Sequence, residues 1–341
     1  VGFGNSVTTT ISRNGDLVHR MYVGFDPSAL ITGQTGGKIG PFVGNTLIEE
    51  SEIEIGGQRI DRQYSHWMNI WSALSENNDG AATAVVAGNT CPEPAVGTSA
   101  TKYQLMSYNH QGDAAGATGT NGGPSMATVP LPFWFCRNPG LALPLIALQY
   151  HEVKLKLKIC ARTAVSDQTD GTVSFTGFKV YADYIYLDTD ERRRFAQVSH
   201  EYLIEQLQFQ TGSSGTSDDL NFNHPVKELV FVGAPTTTLD VAAGPSVPTE
   251  LADGTTYKLK LNGHDRFQNR NKLYFTRTQV WESHSGHGSR ALGVADCIGV
   301  YSFALKPEEH QPSGTCNFSR IDNAQFEHPS DTINYYAVNY N

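Results

Sequence analysis

The chain has 341 residues, a formal net charge of −9, 39% hydrophobic and 17% charged residues, and 33 Gly with 16 Pro. That length exceeds one ordinary domain and suffices for two that each bury a core. The acidic balance argues against a protein that coats nucleic acid through a basic face. Its apolar runs fall short of the roughly 20 residues of a spanning helix.

Taken in chain order, apolar alternation predicts strands over 6–12 and 17–23, with Asn14-Gly15 between them as a type I′ hairpin turn. A strand over 47–55 follows. Tyr64, Trp67, Met68, Trp71 and Leu74 then recur at helical spacing behind Asp61, a plausible N-cap. Phe133, Trp134 and Phe135 form an aromatic strand end that leads into the turn Arg137, Asn138, Pro139, Gly140, with Gly140 placed where a positive φ is needed. Val153 to Ile159 alternates strictly between apolar residues and lysine, the pattern of a half-buried strand. Further strands are predicted over 172–186, 203–210, 227–232, 257–261 and 300–305, with a short helix from Asp188 or Thr189 whose acids precede Arg192, Arg193 and Arg194. Gly- and Ser-rich stretches over 77–101, 110–125, 211–219 and 236–254 are expected to be long surface loops. Together these predict an all-β chain: a sandwich over 1–187, a helical connector over 188–199 and a second sandwich over 200–341.

Candidate chemistry is sparse. Cys91, Cys136, Cys160, Cys297 and Cys316 are widely spaced without a CxxC pair, unlike a secreted disulfide scaffold. Cys136, Cys160 and Cys316 are expected to act as small buried hydrophobes. His151 and Glu152 are neighbours on a predicted strand and so point to opposite faces. Glu282, His284 and His287 have metal-like spacing within WESHSGHGSR, but the Gly-Ser context favours a surface loop in which changes at His284 are tolerated. Ser213-Ser214 lacks the strand-turn-helix setting of a nucleophile elbow, and GQTGGKI at 33–39 lacks the spacing and the Ser or Thr of a phosphate loop. The sequon at Asn317 is a candidate glycan acceptor, although a packed strand is the favoured setting. The arginine cluster is expected to pair locally or to form a solvated helix face. No catalytic, cofactor-binding or metal-binding residue is nominated. The aromatics Trp67, Trp71, Phe133, Trp134 and Phe135 are better explained as core than as a sugar site.

The run from Leu131 to Ile159, LPFWFCRNPGLALPLIALQYHEVKLKLKI, resembles the major capsid protein of the large icosahedral double-stranded DNA viruses. Segments VGFGNSVTTTISRNGDLVHRM, IGGQRID, YIYLDTDERRRFAQVSHEYLIEQLQ, LNFNHP, YSFALKP and QPSGTCNFSRIDNA are similar to that family in the same order, from one end of the chain to the other. The resemblance implies two consecutive eight-stranded jelly rolls with a few short helices. It also implies a non-enzymatic structural subunit without cofactors, forming a homotrimer of pseudo-hexameric outline that tiles an icosahedral shell. Its partners would be neighbouring capsomers and minor capsid proteins beneath the shell, with no direct nucleic acid and no transmembrane segment. Surface glycans, outward or sealing loops at 77–101, 110–125 and 236–254, and assembly in the host cytoplasm into the outer virion shell belong to the same expectation. Family members carry an amino-terminal arm before VGFGN and a last Gly-rich strand after YAVNYN, so a chain trimmed at both ends is expected. Gly140→Val is expected to impair folding or trimer formation. A carbohydrate-binding β-sandwich is the competing expectation. A glycoside hydrolase would need two inward carboxylates about 5 to 9.5 Å apart, and no such pair stands out.

Overall fold

The computed structural model describes residues 1–30, 40–76, 101–109, 126–166, 177–236, 245–254, 257–329 and 332–341. Its contacts divide the chain into two units, one of Val1–Met68, Val96–Ile204 and Thr238–Pro245, the other of Asn69–Ala95, Glu205–Thr237 and Ser246–Asn341.

The first unit runs β1 (Ser6–Thr10), β2 (Leu17–Phe25), α1 (Val43–Leu47), β3 (Ile48–Ile55) and β4 (Gln58–Tyr64), and it then enters α2 (Ser65–Ser75). It continues through α3 (Lys102–Ser107), β5 (Ala127–Pro130), α4 (Trp134–Arg137), β6 (Leu143–Pro144), β7 (Val153–Ile159), β8 (Lys179–Ile185) and α5 (Thr189–Gln197). One antiparallel sheet has the order β1-β7-β3-β4, and in the other β2 pairs with β5, β6 and β8. Period-two alternation explains the core between them: Val153, Leu155, Leu157 and Ile159 of β7 meet Val18, Met21, Val23 and Phe25 of β2 in one buried cluster.

The second unit contains β9 (Glu205–Thr211), β10 (Ser217–Asp219), β11 (Pro225–Gly233), β12 (Lys258–Leu261) and β13 (His264–Asp265). A π-helical turn, Tyr274–Thr278, passes into α6 (Gln279–Ser283), followed by β14 (Ile298–Ser302), β15 (Cys316–Asn317), β16 (Ala324–Glu327) and β17 (Ile333–Tyr340). Its sheets are β14-β11-β17-β9, with β15 on β11, and β10-β16-β12-β13. Leu229 and Phe231 of β11 and Tyr335 and Ala337 of β17 close on Leu259 and Phe326 across the sandwich. The Phe231 and Phe326 rings stand 4.7 Å apart.

Several local expectations are corrected. Asn14-Gly15 is not a hairpin, because β1 and β2 belong to different sheets and neither residue has a positive φ. Gly15 is there for space: a Cβ would stand 2.6 Å from that of Tyr184. Asp61 lies inside β4, where its carboxylate accepts from the Arg62 amide and from Gln63, and the helix opens at Ser65 instead. Phe133 to Phe135 enter a helical turn rather than end a strand. Residues 211–219 include β10 and are no plain loop. Within 236–254, Val247 and Leu251 are buried and Thr249 donates to the Gly233 carbonyl. The loop at 110–125, nearly all of 77–101, residues 237–244 and the 33–39 segment lie outside the described residues, as does Cys91.

Candidate functional site

Charge in this molecule is spent on holding strands in place. The lysine face of β7 is not simply solvated: Lys156 pairs with Glu54 and Lys158 with Glu49, while Lys154 reaches Glu152 at 2.9 Å. Across β3, Arg62 Nε of β4 donates to Glu52 at 2.6 Å. The register sets Glu50, Glu52 and Glu54 opposite Lys158, Lys156 and Lys154. Cross-strand pairs of opposite sign favour one register and disfavour a one-residue slip.

In the second unit two groups of charges are buried. Lys227 and Glu228 are consecutive on β11 and both fully buried; the pairing with β17 shifts register between Val226 and Glu228, and the two charges meet separate partners. Lys227 Nζ lies 2.8 Å from Glu205 of β9, on the side where the Tyr340 ring stands 5.6 Å away. Glu228 lies 3.0 Å from His284 Nε2, while His284 Nδ1 faces Glu308 at 3.1 Å. Burial alone would push the imidazolium down, but Glu228 and Glu308 outweigh it and raise the His284 pKa to about 9. Glu308 also accepts from the Ser285 amide at 3.0 Å. The surface loop expected around His284 is therefore a buried charged clamp, and tolerance of change there is not expected. Glu282 instead accepts from Gln279 at 2.8 Å, so Glu282 and His284 serve different partners.

A serine, an aspartate and a histidine do converge, in an order that activates no nucleophile. Ser213 Oγ donates to Asp218 Oδ1 at 2.7 Å, while His328 Nε2 and Tyr335 Oη meet Oδ2 at 3.0 and 2.9 Å. The carboxylate separates hydroxyl from imidazole, whereas a triad needs the imidazole between them. Burial opposes ionisation of Asp218, yet the Ser213 amide and hydroxyl and the Tyr335 hydroxyl hold it below the usual carboxylate range. The group bridges the β9–β10 turn, β16 and β17.

The remaining sequence candidates fall into structural places. Arg137 Nε donates to the Pro132 carbonyl at 3.1 Å, and Asn138 Oδ1 accepts from the Gly140 amide at 2.9 Å. Gly140 itself sits in a 3-10 turn without a positive φ, and an added Cβ would meet only Asn138 Oδ1 at 3.3 Å, which corrects the reason given for needing glycine. His151 and Glu152 precede β7 rather than alternate on it. Asn317 is half-buried at the end of β15, and its side-chain oxygen accepts from the Ser319 amide at 3.0 Å. Arg192 pairs with Asp16 at 2.9 Å. Trp67, Trp71, Phe133, Trp134 and Phe135 are buried, which removes them as an open sugar-stacking platform. Cys160 and Cys297 are buried, with Cys136 and Cys316 half-buried. Among the described residues no helix is long and apolar enough to cross a membrane.

Comparison with known proteins accounts for a chain whose polar chemistry is structural. Residues 1–188 match the family "Major capsid protein N-terminus", and residues 191–338 match "Large eukaryotic DNA virus major capsid protein". The chain is 43% identical to the major capsid protein of Pyramimonas orientalis virus, over 99% of this chain and 83% of that one. It is 38% identical to that of Paramecium bursaria Chlorella virus 1, over 95% of this chain and 75% of that one. Among solved structures, the crystal structure of PBCV-1 VP54, fitted into a reconstruction of the virophage Sputnik, superposes with a TM-score of 0.76 at 33% identity, covering 100% of this chain and 90% of that one. The Faustovirus major capsid protein shares the fold with a TM-score of 0.69 at 12% identity, over 100% of this chain and 88% of that one. The chain thus has the double jelly-roll fold, and it belongs to the major capsid proteins of the large eukaryotic DNA viruses, the structural subunits of the virion's outer shell.

Proposed function

We propose that three copies of this chain form a homotrimer of pseudo-hexameric outline, and that these capsomers tile the icosahedral shell of a large double-stranded DNA virus. The observation that carries this reading is the repeat of one build within one chain: each unit has two antiparallel sheets around its own core. Three such chains offer six similar sandwiches under closed threefold symmetry, which suits a hexagonal lattice. On this reading the jelly rolls are 1–187 and 200–341, with 188–199 as connector, and the meeting of the two family matches between residues 188 and 191 supports that division.

The capsomer contacts neighbouring capsomers and minor capsid proteins beneath the shell, and assembles in the host cytoplasm. Its work is mechanical, with no reaction catalysed. The buried ion pairs support that role, since they tie neighbouring strands and turns of one unit together. Asn317 remains the candidate for a surface glycan. Light scattering on the purified chain tests the trimer: a stable mass three times 37.2 kDa is expected, and a strict monomer or a dimer overturns it.

A further inference from the structure

We propose that Trp281, together with Leu305, is the apolar anchor through which one copy of this chain packs against a second copy in the shell. The inference rests on the capsid role and deepens the trimer reading by naming a contact.

Trp281 is 81% exposed, whereas the chain's three other tryptophans, Trp67, Trp71 and Trp134, are 1%, 8% and 3% exposed. Its position is fixed by the helix that carries it. Phe275, Thr276, Gln279 and Val280 are buried along the inner side of the π-helical turn and α6, while Leu273, Arg277 and Trp281 are exposed on the outer side. Leu305, also 81% exposed, follows β14 on a segment tied to the same helix end. Glu308 meets His284 at 3.1 Å and accepts from the Ser285 amide at 3.0 Å. Both side chains therefore project from a pinned framework, and little ordering entropy is left to lose on docking.

The occupant is argued from the assembly and from charge. A shell subunit is surrounded by copies of itself, and a solved relative is described as a virus capsid. Two chains of net charge −9 gain nothing from overall attraction, so their contact needs apolar burial to offset repulsion. The Trp281 face offers apolar area rather than a free cation, because Arg277 is already paired with Asp296 at 2.7 Å. A buried aromatic side chain covers about 150–250 Å², a sizeable share of the roughly 800 Å² per partner in a stable interface. Tryptophan is also among the residues most enriched at such energetic centres.

Because Trp281 is exposed and the other tryptophans are buried, iodide quenching of tryptophan emission reads the contact directly. In the full chain, diluted until light scattering reports monomer, iodide should quench a fraction of emission that W281F lacks. That fraction should disappear as the chain associates. W281S should weaken association by about 30-fold or more while leaving the thermal melt unchanged, and L305S should weaken it independently should W281S fold poorly. A trimer whose Trp281 stays open to iodide overturns the anchor and leaves the trimer standing. A dimer with Trp281 protected keeps the anchor and removes the trimer, and a monomer at every concentration overturns both. An assembly in which W281S and L305S associate as tightly as wild type also overturns the anchor.

Discussion

His284 lies 3.0 Å from Glu228 with neither side chain exposed, and its second ring nitrogen lies 3.1 Å from Glu308. Both carboxylates favour the imidazolium and raise its pKa from 6.5 to about 9. A group whose folded pKa is raised contributes stability that is complete below its unfolded value and fades as pH rises through the folded one. The difference in unfolding free energy between wild type and H284Q should therefore be largest near pH 6 and shrink between pH 6.5 and about 9. Near pH 6 the loss should be about 3–5 kcal/mol, because a buried carboxylate loses its counter-ion. Urea melts across that range check this, and a difference independent of pH would show that His284 is neutral in the folded chain.

Lys227 and Glu205 make the same argument with a different outcome when both partners change. Lys227→Ala strands Glu205 in the interior, where His310 lies 3.6 Å from its carboxylate, and should cost about 3–5 kcal/mol. The double variant K227M/E205L removes both charges and keeps volume, so it should fall within about 1–2 kcal/mol of wild type. Chemical denaturation of K227M, E205L and the double variant gives the coupling. If the double variant were as unstable as K227A, the pair would matter for its shape rather than its charge.

How much of this was legible differs from residue to residue. The alternation of β7 and the ordered motifs around it gave strand, core face and family together, because a period of two and a short turn are local properties. The β17 strand went unrecognised: all eight of its residues are buried, between β11 and β9, and a strand buried on both faces shows no alternation. Lys227 and Glu228 look like a solvated pair in sequence, and only the approach of Glu205, His284 and Glu308 from distant segments makes them internal. His284 was misread for the same reason. Its Gly- and Ser-rich neighbours indicate a loop, and nothing local announces that the loop is pulled inward by two carboxylates.

Glycine tolerance separates close approach from mere turn composition. At Gly286 a Cβ would stand 2.4 Å from the Ala73 carbonyl oxygen, and at Gly44 it would stand 1.8 Å from that of Ser107. Backbone oxygens cannot rotate aside as a side chain does. Gly286→Ala and Gly44→Ala should each cost about 1–3 kcal/mol or more, read as lower melting temperatures. Gly140→Ala should change stability by no more than about 0.5 kcal/mol, since only the movable Asn138 side chain lies near. A severe loss at Gly140 would restore a special backbone requirement there.

Asp16 controls the connector helix through two hydrogen bonds. Its carboxylate accepts from the Leu187 amide at 2.8 Å and from Arg192 at 2.9 Å, just before and inside α5. These contacts hold its pKa below the usual carboxylate range. The helix has little else: none of its nine residues is buried and Asp188 makes no side-chain cap bond, and a free helix of that length is marginal in water. Asp16→Ala should therefore loosen α5 selectively. Hydrogen exchange of the amides over 189–197 should accelerate roughly tenfold or more, the scale of losing a charge-assisted hydrogen bond, while exchange in β2 and β7 stays close to wild type. Acid should act in the same way, because a depressed carboxylate contributes stability above 3.8 that is lost as pH falls through its folded pKa. Unchanged exchange over 189–197 in Asp16→Ala would mean that α5 is held by the Phe195–His200 stack, whose rings lie 4.7 Å apart, and F195A would then be the variant that frees it.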